Sequence, residues 1–378
     1  MMKYLIICGS IAPTYCGIGK FAARIFRLLT SKGVQVFYLT NKKQPEFNPQ
    51  DKSLGVKPYT GKLLTGGIYD VYKVVKKIRP QIVNIQYQTF AKNYRDVFFP
   101  LAAKLAYLKV KVISTIHEFY GLTLKGKIRN TLIILFSDKV LFSDQTQLAS
   151  ASKFTYGLFD KKFTTVIAGI NTDFKKYNFT LPDFKNNHLH IAYHGYIQPT
   201  KGLDFLLKAL RDYSYPFTLH ILGDFRTMLN YSNLEEVRNY QKFCLDLIEN
   251  SKSLKENTKV WGDVEPGSPK FKEILQQCHV AILPFTDYLT FRRSTFVNVL
   301  LNSSCVMVST LDPRYSEPEL SSVCPIEPKS EQSILNFLNN WQQLSFEQKA
   351  DLFKKQMSLR EYLIGPELKE ETLQKLLC

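Results

Sequence analysis

The chain is short of several things, and each shortage removes a class of protein. Its seven cysteines (Cys8, Cys16, Cys244, Cys278, Cys305, Cys324 and Cys378) are scattered, odd in number and never spaced as CxxC. That argues against a disulfide framework and against a zinc site. There is no low-complexity tract and no long apolar run. The opening "MMKYLIICGSIAP" is apolar over too short a distance for a signal peptide or a spanning helix, and "TLIILFSDKVLF" is broken by Asp138 and Lys139. A cytoplasmic protein is the expectation. No GxxxxGK[ST] loop and no DxD motif occurs, so neither a Walker nucleotide site nor a carboxylate-held metal is expected.

Acid is also scarce, but only in one half. Residues 1–185 carry 29 Lys+Arg against 10 Asp+Glu, while the rest carries 21 against 23, so the first half holds the whole of the +17 net charge. Such asymmetry suits something anionic facing that half: a membrane surface, an acidic substrate or nucleic acid. Nucleic acid is disfavoured, because no aromatic-basic interleaving and no recognition module is present.

What the chain has is length and apolar mass. Its 378 residues are 45% hydrophobic, with 27 Phe and 21 Tyr, enough for two domains. "KYLIIC", "VQVFYLT", "QIVNIQY", "KVKVISTIHE", "DKVLFSD" and "FTTVIAGI" read as buried strands. Between them "FAARIFRLLTSKG" and "IYDVYKVVKKIRP" read as helices. A polar, proline-containing linker around 178–190 follows. The pattern then restarts with "LHIAYHGYI", "FTLHILGDF", "TKVWGDV", "VAILPF" and "CVMVST" as strands, and "GLDFLLKALRDY" and "SPKFKEILQQC" as helices. Continuous Val/Ile-rich strands between helices predict parallel sheets covered on both faces. The expected fold is α/β: two Rossmann-like doubly wound domains, 1–183 and 184–378, facing a cleft. The last helix is a candidate to pack back on the first domain.

One stretch poses a question. "FTDYLTFRRSTFVNVLLN", Phe285 to Asn302, reads as a strand end, a turn and a helix, with Arg292 and Arg293 where the helix begins. A helix N-terminus is already positive, so two cations there suggest an anion between them and the amides. The alternative is a solvated basic turn. Gly17 and Gly19, after the first strand, allow close backbone approach to a ligand, and the helix beginning near Lys20 offers its amides to a phosphate or a sugar hydroxyl. Lys201 in "PTKGLDF" sits between a strand and a helix, where an ammonium can neutralise a departing diphosphate.

The order of these motifs resembles the family 4 glycosyltransferases of GT-B fold ("glycosyl transferases group 1"), from about Tyr4 to Thr310. "PTYCGIGKFAARIFRLLTSKGVQVFYLT", "PQIVNIQY", "VISTIHEFYG", "VIAGIN", "HGYIQPTKGLDFLLKAL", "ILGDF" and "CHVAILPFTD" carry the resemblance. It implies transfer of a sugar from a nucleotide sugar, UDP- or GDP-linked, with retention and without a metal or other cofactor. It places the donor in the second domain and the acceptor in the first.

Residue by residue, Lys201 matches the family lysine at the diphosphate, and Gly195 the glycine that an arginine usually follows. Here Tyr196 follows instead. Two family glutamates, at the donor sugar and the ribose, are replaced by Thr290 and Asn298. The arginines lie between those positions, and an Arg-Arg-Ser/Gly-Thr turn resembles a subgroup of the family. We expect Arg292 or Arg293 to supply the charge missing at Tyr196. Gly195, Lys201, Gly223, Asp224, Ser294, Thr295 and Asn298 are the remaining donor-side candidates, with Gly17 and Gly19. His117 matches a position near the transferred sugar, with a structural strand-end histidine as its alternative. Lys20 and Glu118 are acceptor-side candidates, and His194 is a side candidate beside the phosphate site.

The expected partners are therefore a nucleotide sugar, a saccharide or lipid-linked acceptor, and an anionic membrane surface touched peripherally on its inner face. "IYDVYKVVKKIRP" and "LTLKGKIRN" are the candidate docking helices. The resemblance implies a role in cell-surface polysaccharide such as lipopolysaccharide or capsule. The lost carboxylates keep a second reading open, a catalytically inactive scaffold or nucleotide-binding subunit.

Overall fold

The computed structural model describes the chain except residues 10–16, 42–58, 64–66, 88–94, 167–179, 185–187, 226–233, 292, 313–317, 365 and 378. It divides into two compact units, Met1–Asn171 with Pro366–Cys378, and Thr172–Gly365.

In the first unit the described strands are β1 (Lys3–Cys8), β2 (Gln35–Asn41), β3 (Tyr59–Gly61), β4 (Ile82–Tyr87), β5 (Lys111–Ile116), β6 (Lys139–Phe142) and β7 (Phe163–Thr165). They form one sheet in the order β3-β2-β1-β4-β5-β6-β7, every pair parallel. The alternation along β1 shows why both faces are covered. Leu5 and Ile7 enter one core with α2 (Ile68–Ile78), α3 (Phe99–Ala106) and α4 (Leu124–Phe136). Tyr4, Ile6 and Cys8 enter the other with Phe21, Ile25 and Leu29 of α1 (Gly17–Ser31). A strand buried on both sides cannot alternate polar and apolar, hence "KYLIIC". α5 (Gln145–Phe154) completes this part, its start capped by Asp144, whose carboxylate accepts the Gln147 N–H at 2.9 Å. Helix α1 begins at Gly17, earlier than expected, because Ile18 already packs on its core.

The second unit repeats the plan. Its elements are β8 (Leu189–His194), α6 (Leu203–Arg211), β9 (Phe217–Leu222), α7 (Leu234–Glu249), α8 (Lys252–Asn257), β10 (Thr258–Val260), α9 (Pro269–Gln276), β11 (Val280–Leu283), α10 (Ser294–Asn302), β12 (Val306–Thr310), β13 (Cys324–Ile326), α11 (Glu331–Gln343) and α12 (Phe346–Ile364). Its parallel sheet runs β10-β9-β8-β11-β12-β13. The last helix, α13 (Pro366–Leu377), belongs to the first unit, where Leu373 and Leu376 join the α1 core. Part of the expected linker lies outside the described residues. Inside it, Phe184 is buried edge-on against Trp341, with ring centroids 5.6 Å apart.

Four of the six histidines meet at the start of the second sheet. The indole N–H of Trp261 donates to His220 Nδ1 at 3.3 Å. His220 therefore carries its proton on Nε2 and donates it to His190 Nδ1 at 3.2 Å. The backbone N–H of His190 donates to His279 Nδ1 at 3.0 Å, and His188 pairs with Thr218 Oγ1 at 2.8 Å. Burial holds His220 and His279 down to about 4, the charges of His190 and Lys259 acting with it on His220. Among the described residues no group of three or more His, Cys, Asp or Glu side chains is placed to hold a metal ion.

Candidate functional site

The strand order of the second sheet reverses between β8 and β11. Ligands of doubly wound sheets bind beyond the carboxyl ends of the strands at such a reversal. The loops after those two strands hold Gly195–Lys201 and Phe285–Arg293, so both candidate segments come to one place.

Glycines bring the backbone together there. Gly195 has φ +143°, and a Cβ on it would sit 2.9 Å from Thr295 Cγ2. A Cβ on Gly223 would sit 2.2 Å from the carbonyl oxygen of Gly195. Gly202 turns in the left-handed region against Pro284 O, where a Cβ would come to 1.9 Å. The ends of β8, β9 and β11 are thus in backbone contact, and the start of α10 lies over Gly195.

Onto this floor the charges converge. Lys201 Nζ donates to Thr295 Oγ1 at 3.0 Å, in the first turn of α10. The same ammonium lies 4.9 Å from the centre of the buried Phe285 ring, and the Arg293 guanidinium lies 4.8 Å from it. Arg293 also pairs with the carboxylate of Asp287, and its side chain is 14% exposed against 55% for Asp287. Arg293 stands at the cap of α10 and supplies no side-chain hydrogen bond to it, whereas the neighbouring α9 is capped by Ser268. The first-turn amides of α10 therefore keep their capacity for an anion.

Thr290 lies in the loop before α10, and Asn298 in the middle of that helix. Thr290 accepts the Arg293 N–H at its carbonyl, 3.0 Å away. Asn298 accepts Asn302 Nδ2 at its carbonyl, 2.8 Å away. Each leaves a side-chain oxygen, Thr290 Oγ1 and Asn298 Oδ1, buried without a hydrogen-bond partner in the protein. Buried polar atoms are almost always paired, so each is an open acceptor on the segment that carries Arg293.

The floor is held from beneath. Arg360 of α12, fully buried, donates from Nε to Leu300 O at 2.9 Å and from its terminal nitrogen to Cys305 O at 2.6 Å. It ties down the C-terminal end of α10.

Other expected residues fall as follows. Ser294 is half-buried at the helix start, and Asp224 is half-buried after Gly223. Arg292 lies outside the described residues. His194 is buried, its Nδ1–H donating to Leu222 O at 2.9 Å, and burial lowers it to about 4. It is neutral at pH 7 and edge-packed on Phe271. The sequence did not flag Phe285, Asp287 or Arg360. Their contacts join segments far apart in the chain, and no local pattern marks them.

In the first unit the carboxyl ends of the strands hold a second polar group. His117, just past β5, is 7% exposed, and its Nε2 meets Gln86 Oε1 at 3.0 Å. Gln86 in turn donates to Asn84 Oδ1 and to Thr115 Oγ1. Phe21 of α1 lies edge-on to the imidazole at 5.6 Å. Glu118 is exposed, and its carbonyl accepts Asn130 Nδ2 of α4 at 2.9 Å. Gly17 opens α1 and Gly19 is buried within its first turn, while the Lys20 side chain lies outside the described residues. The sheet order reverses between β1 and β4, beside these groups.

No protein-family model and no curated protein sequence matches the chain. Solved structures do. Over 99% of both chains it superposes on the apo form of the lipopolysaccharide outer core galactosyltransferase WaaB, with 13% identity and TM-score 0.66. Against Anabaena Alr3699/HepE in complex with UDP it covers 100% of this chain and 99% of that one, with 12% identity and TM-score 0.72. Against sucrose-phosphate synthase from Thermosynechococcus elongatus the coverage is 99% and 98%, with 12% identity and TM-score 0.69. At such identities the likeness speaks for architecture, and the chain has the expected α/β fold of two Rossmann-like parallel-sheet domains, the GT-B fold.

Proposed function

We propose that the chain is a glycosyltransferase that moves a sugar from a nucleotide-diphosphate sugar to a saccharide or lipid-linked acceptor. The observation that carries this reading is the meeting of Lys201, Thr295, Arg293 and the start of α10 at the strand-order reversal of the second sheet. Structural neighbours that include a lipopolysaccharide galactosyltransferase and a UDP complex support it.

In this reading the second unit takes the donor and the first the acceptor. Lys201, Arg293, Arg292 and the α10 amides meet the diphosphate. The charge that a metal supplies in other transferases is supplied by these groups, and no metal is needed. Thr290 Oγ1 takes a polar group at the sugar end, and Asn298 Oδ1 accepts from a ribose hydroxyl. The bond from the anomeric carbon to the diphosphate oxygen breaks as these cations take up the developing charge. The acceptor hydroxyl adds to the same face, its proton passing to the leaving phosphate, and configuration is retained. His117 offers a hydrogen bond to a hydroxyl of the transferred sugar, while Glu118 and Lys20 face the acceptor. The acceptor belongs to cell-surface polysaccharide assembly, and the protein works peripherally on the inner face of the membrane. No described helix is long and apolar enough to cross one.

A second reading, a subunit that binds the nucleotide and transfers nothing, is favoured by one observation. Both glutamate positions hold neutral side chains, and Arg293 already has a carboxylate partner in Asp287. Incubation with UDP- and GDP-sugars and membrane-extracted lipid acceptors decides between the two. Acceptor-dependent release of nucleoside diphosphate, lost in Lys201→Met, supports transfer. Binding of a nucleotide without such release supports the second reading.

A further inference from the structure

Among the described residues of the first unit, the outer face of α4 is uncovered. α4 is apolar on two sides: Ile133 and Ile134 are buried in the core, while Leu124, Ile128, Leu132 and Leu135 are 67%, 51%, 38% and 49% exposed. At 100° per residue these four lie within about 80° of arc, a continuous stripe along the whole helix. Lys125 and Lys127 fall on either side of it. Exposed aromatic residues stand near both ends of the helix. Tyr120, half-exposed, precedes it, and Phe98, 41% exposed, packs its ring on Phe136 of the last turn. Lys104 pairs with Asp138 just past that turn, at 2.6 Å. An apolar stripe of this length is not an ordinary scatter of surface leucines.

We infer that the outer face of α4 is the surface on which the protein rests on an anionic lipid bilayer. Its leucines enter the acyl boundary, and the flanking lysines reach the headgroups. Charge selects this occupant over a second copy of the chain. A stripe rimmed by lysines on a unit with a large basic excess would repel its own image, whereas it complements anionic lipid. The other expected docking helix, α2, differs in carrying no leucine stripe. Docking on α4 has a consequence for the site. Asn130 on its inner side holds the carbonyl of Glu118, so the loop bearing His117 and Glu118 is fixed to the helix that meets the lipid. This placement rests on the reading of the first unit as the acceptor unit.

The test is co-sedimentation of the full-length protein with vesicles of phosphatidylethanolamine alone or with 30% phosphatidylglycerol, in the absence of any nucleotide sugar. The inference requires binding that needs phosphatidylglycerol and weakens in high salt. It requires a fall of at least about tenfold for Leu124→Gln/Ile128→Gln/Leu132→Gln. Lys125→Glu should lose about fivefold or more, with an unchanged melting temperature. Equal binding by the α4 variants overturns the inference, as does a wild-type dimer that these substitutions dissolve. Because the donor response of the second unit is read separately, a failure here leaves the transferase reading standing.

Discussion

Lys201 Nζ donates to Thr295 Oγ1 across 3.0 Å, joining the loop after β8 to the first turn of α10. The bond aims an ammonium and a helix N-terminus at one point. If that point receives a diphosphate, Lys201→Met should lower kcat about 10²-fold or more with little change in melting temperature, the scale seen when a single group stabilising developing charge is removed. Thr295→Val, which only releases the ammonium, should cost roughly tenfold in kcat/KM. Steady-state kinetics on both variants checks this.

The Asp287 carboxylate competes with any phosphate for Arg293. Asp287→Asn should tighten nucleotide-sugar binding by about fivefold, since a pair exposed only on the Asp287 side contributes about 1 kcal/mol. Arg293→Ala should weaken it. Calorimetric titration distinguishes these opposite directions, and a solvated basic turn would show neither.

Gly223→Ala should destabilise the second unit by about 1–3 kcal/mol, because its Cβ would push into the Gly195 carbonyl. The melting temperature should fall by about 2–4 °C per kcal/mol. Arg360→Ala removes the donors to Leu300 O and Cys305 O, and should cost at least about 2 kcal/mol. Chemical denaturation of each variant reads both losses.

The histidine ladder predicts acid sensitivity. His220 and His279 are held near 4, below their unfolded value of about 6.5, so the unfolded chain binds more protons as pH falls. Their neutral packing is fully stabilising above about pH 6.5, and the advantage is lost progressively towards pH 4. The unfolding free energy should fall by roughly 3 kcal/mol over that range, allowing for solvent on that edge of the sheet, as denaturant titrations at each pH would read. Trp261→Phe removes a donor that requires unprotonated His220 Nδ1, and should flatten the dependence.

Much of this was legible in the chain because buried parallel strands write themselves as unbroken apolar runs. "KYLIIC", "QIVNIQY" and "VAILPF" each became a strand within two residues of the expected bounds. β3 and β13, three residues each, are too short to leave a period, and their pairing comes from the neighbouring strand. "KVKVISTIHE" stops at Ile116 as a strand, since His117 turns inward to Gln86. The run "TLIILFSDKVLF" splits into the end of α4 and β6, and only the structure shows that half of its apolar helix faces outward. At the site, Lys201 and the start of α10 were visible from their place between strand and helix, and Gly195 only from the resemblance. Phe285 beneath both cations was not, because what matters about it is a contact between two distant loops.

Thermal melting of the wild type and of Lys201→Met/Arg293→Ala against UDP-, GDP-, ADP- and CMP-sugars tests the donor site most directly. At about 100 times its dissociation constant, one nucleotide sugar should stabilise the wild type by about 2.7 kcal/mol and leave the double variant unmoved. No shift of the wild type with any nucleotide sugar would contradict a donor site at the head of α10.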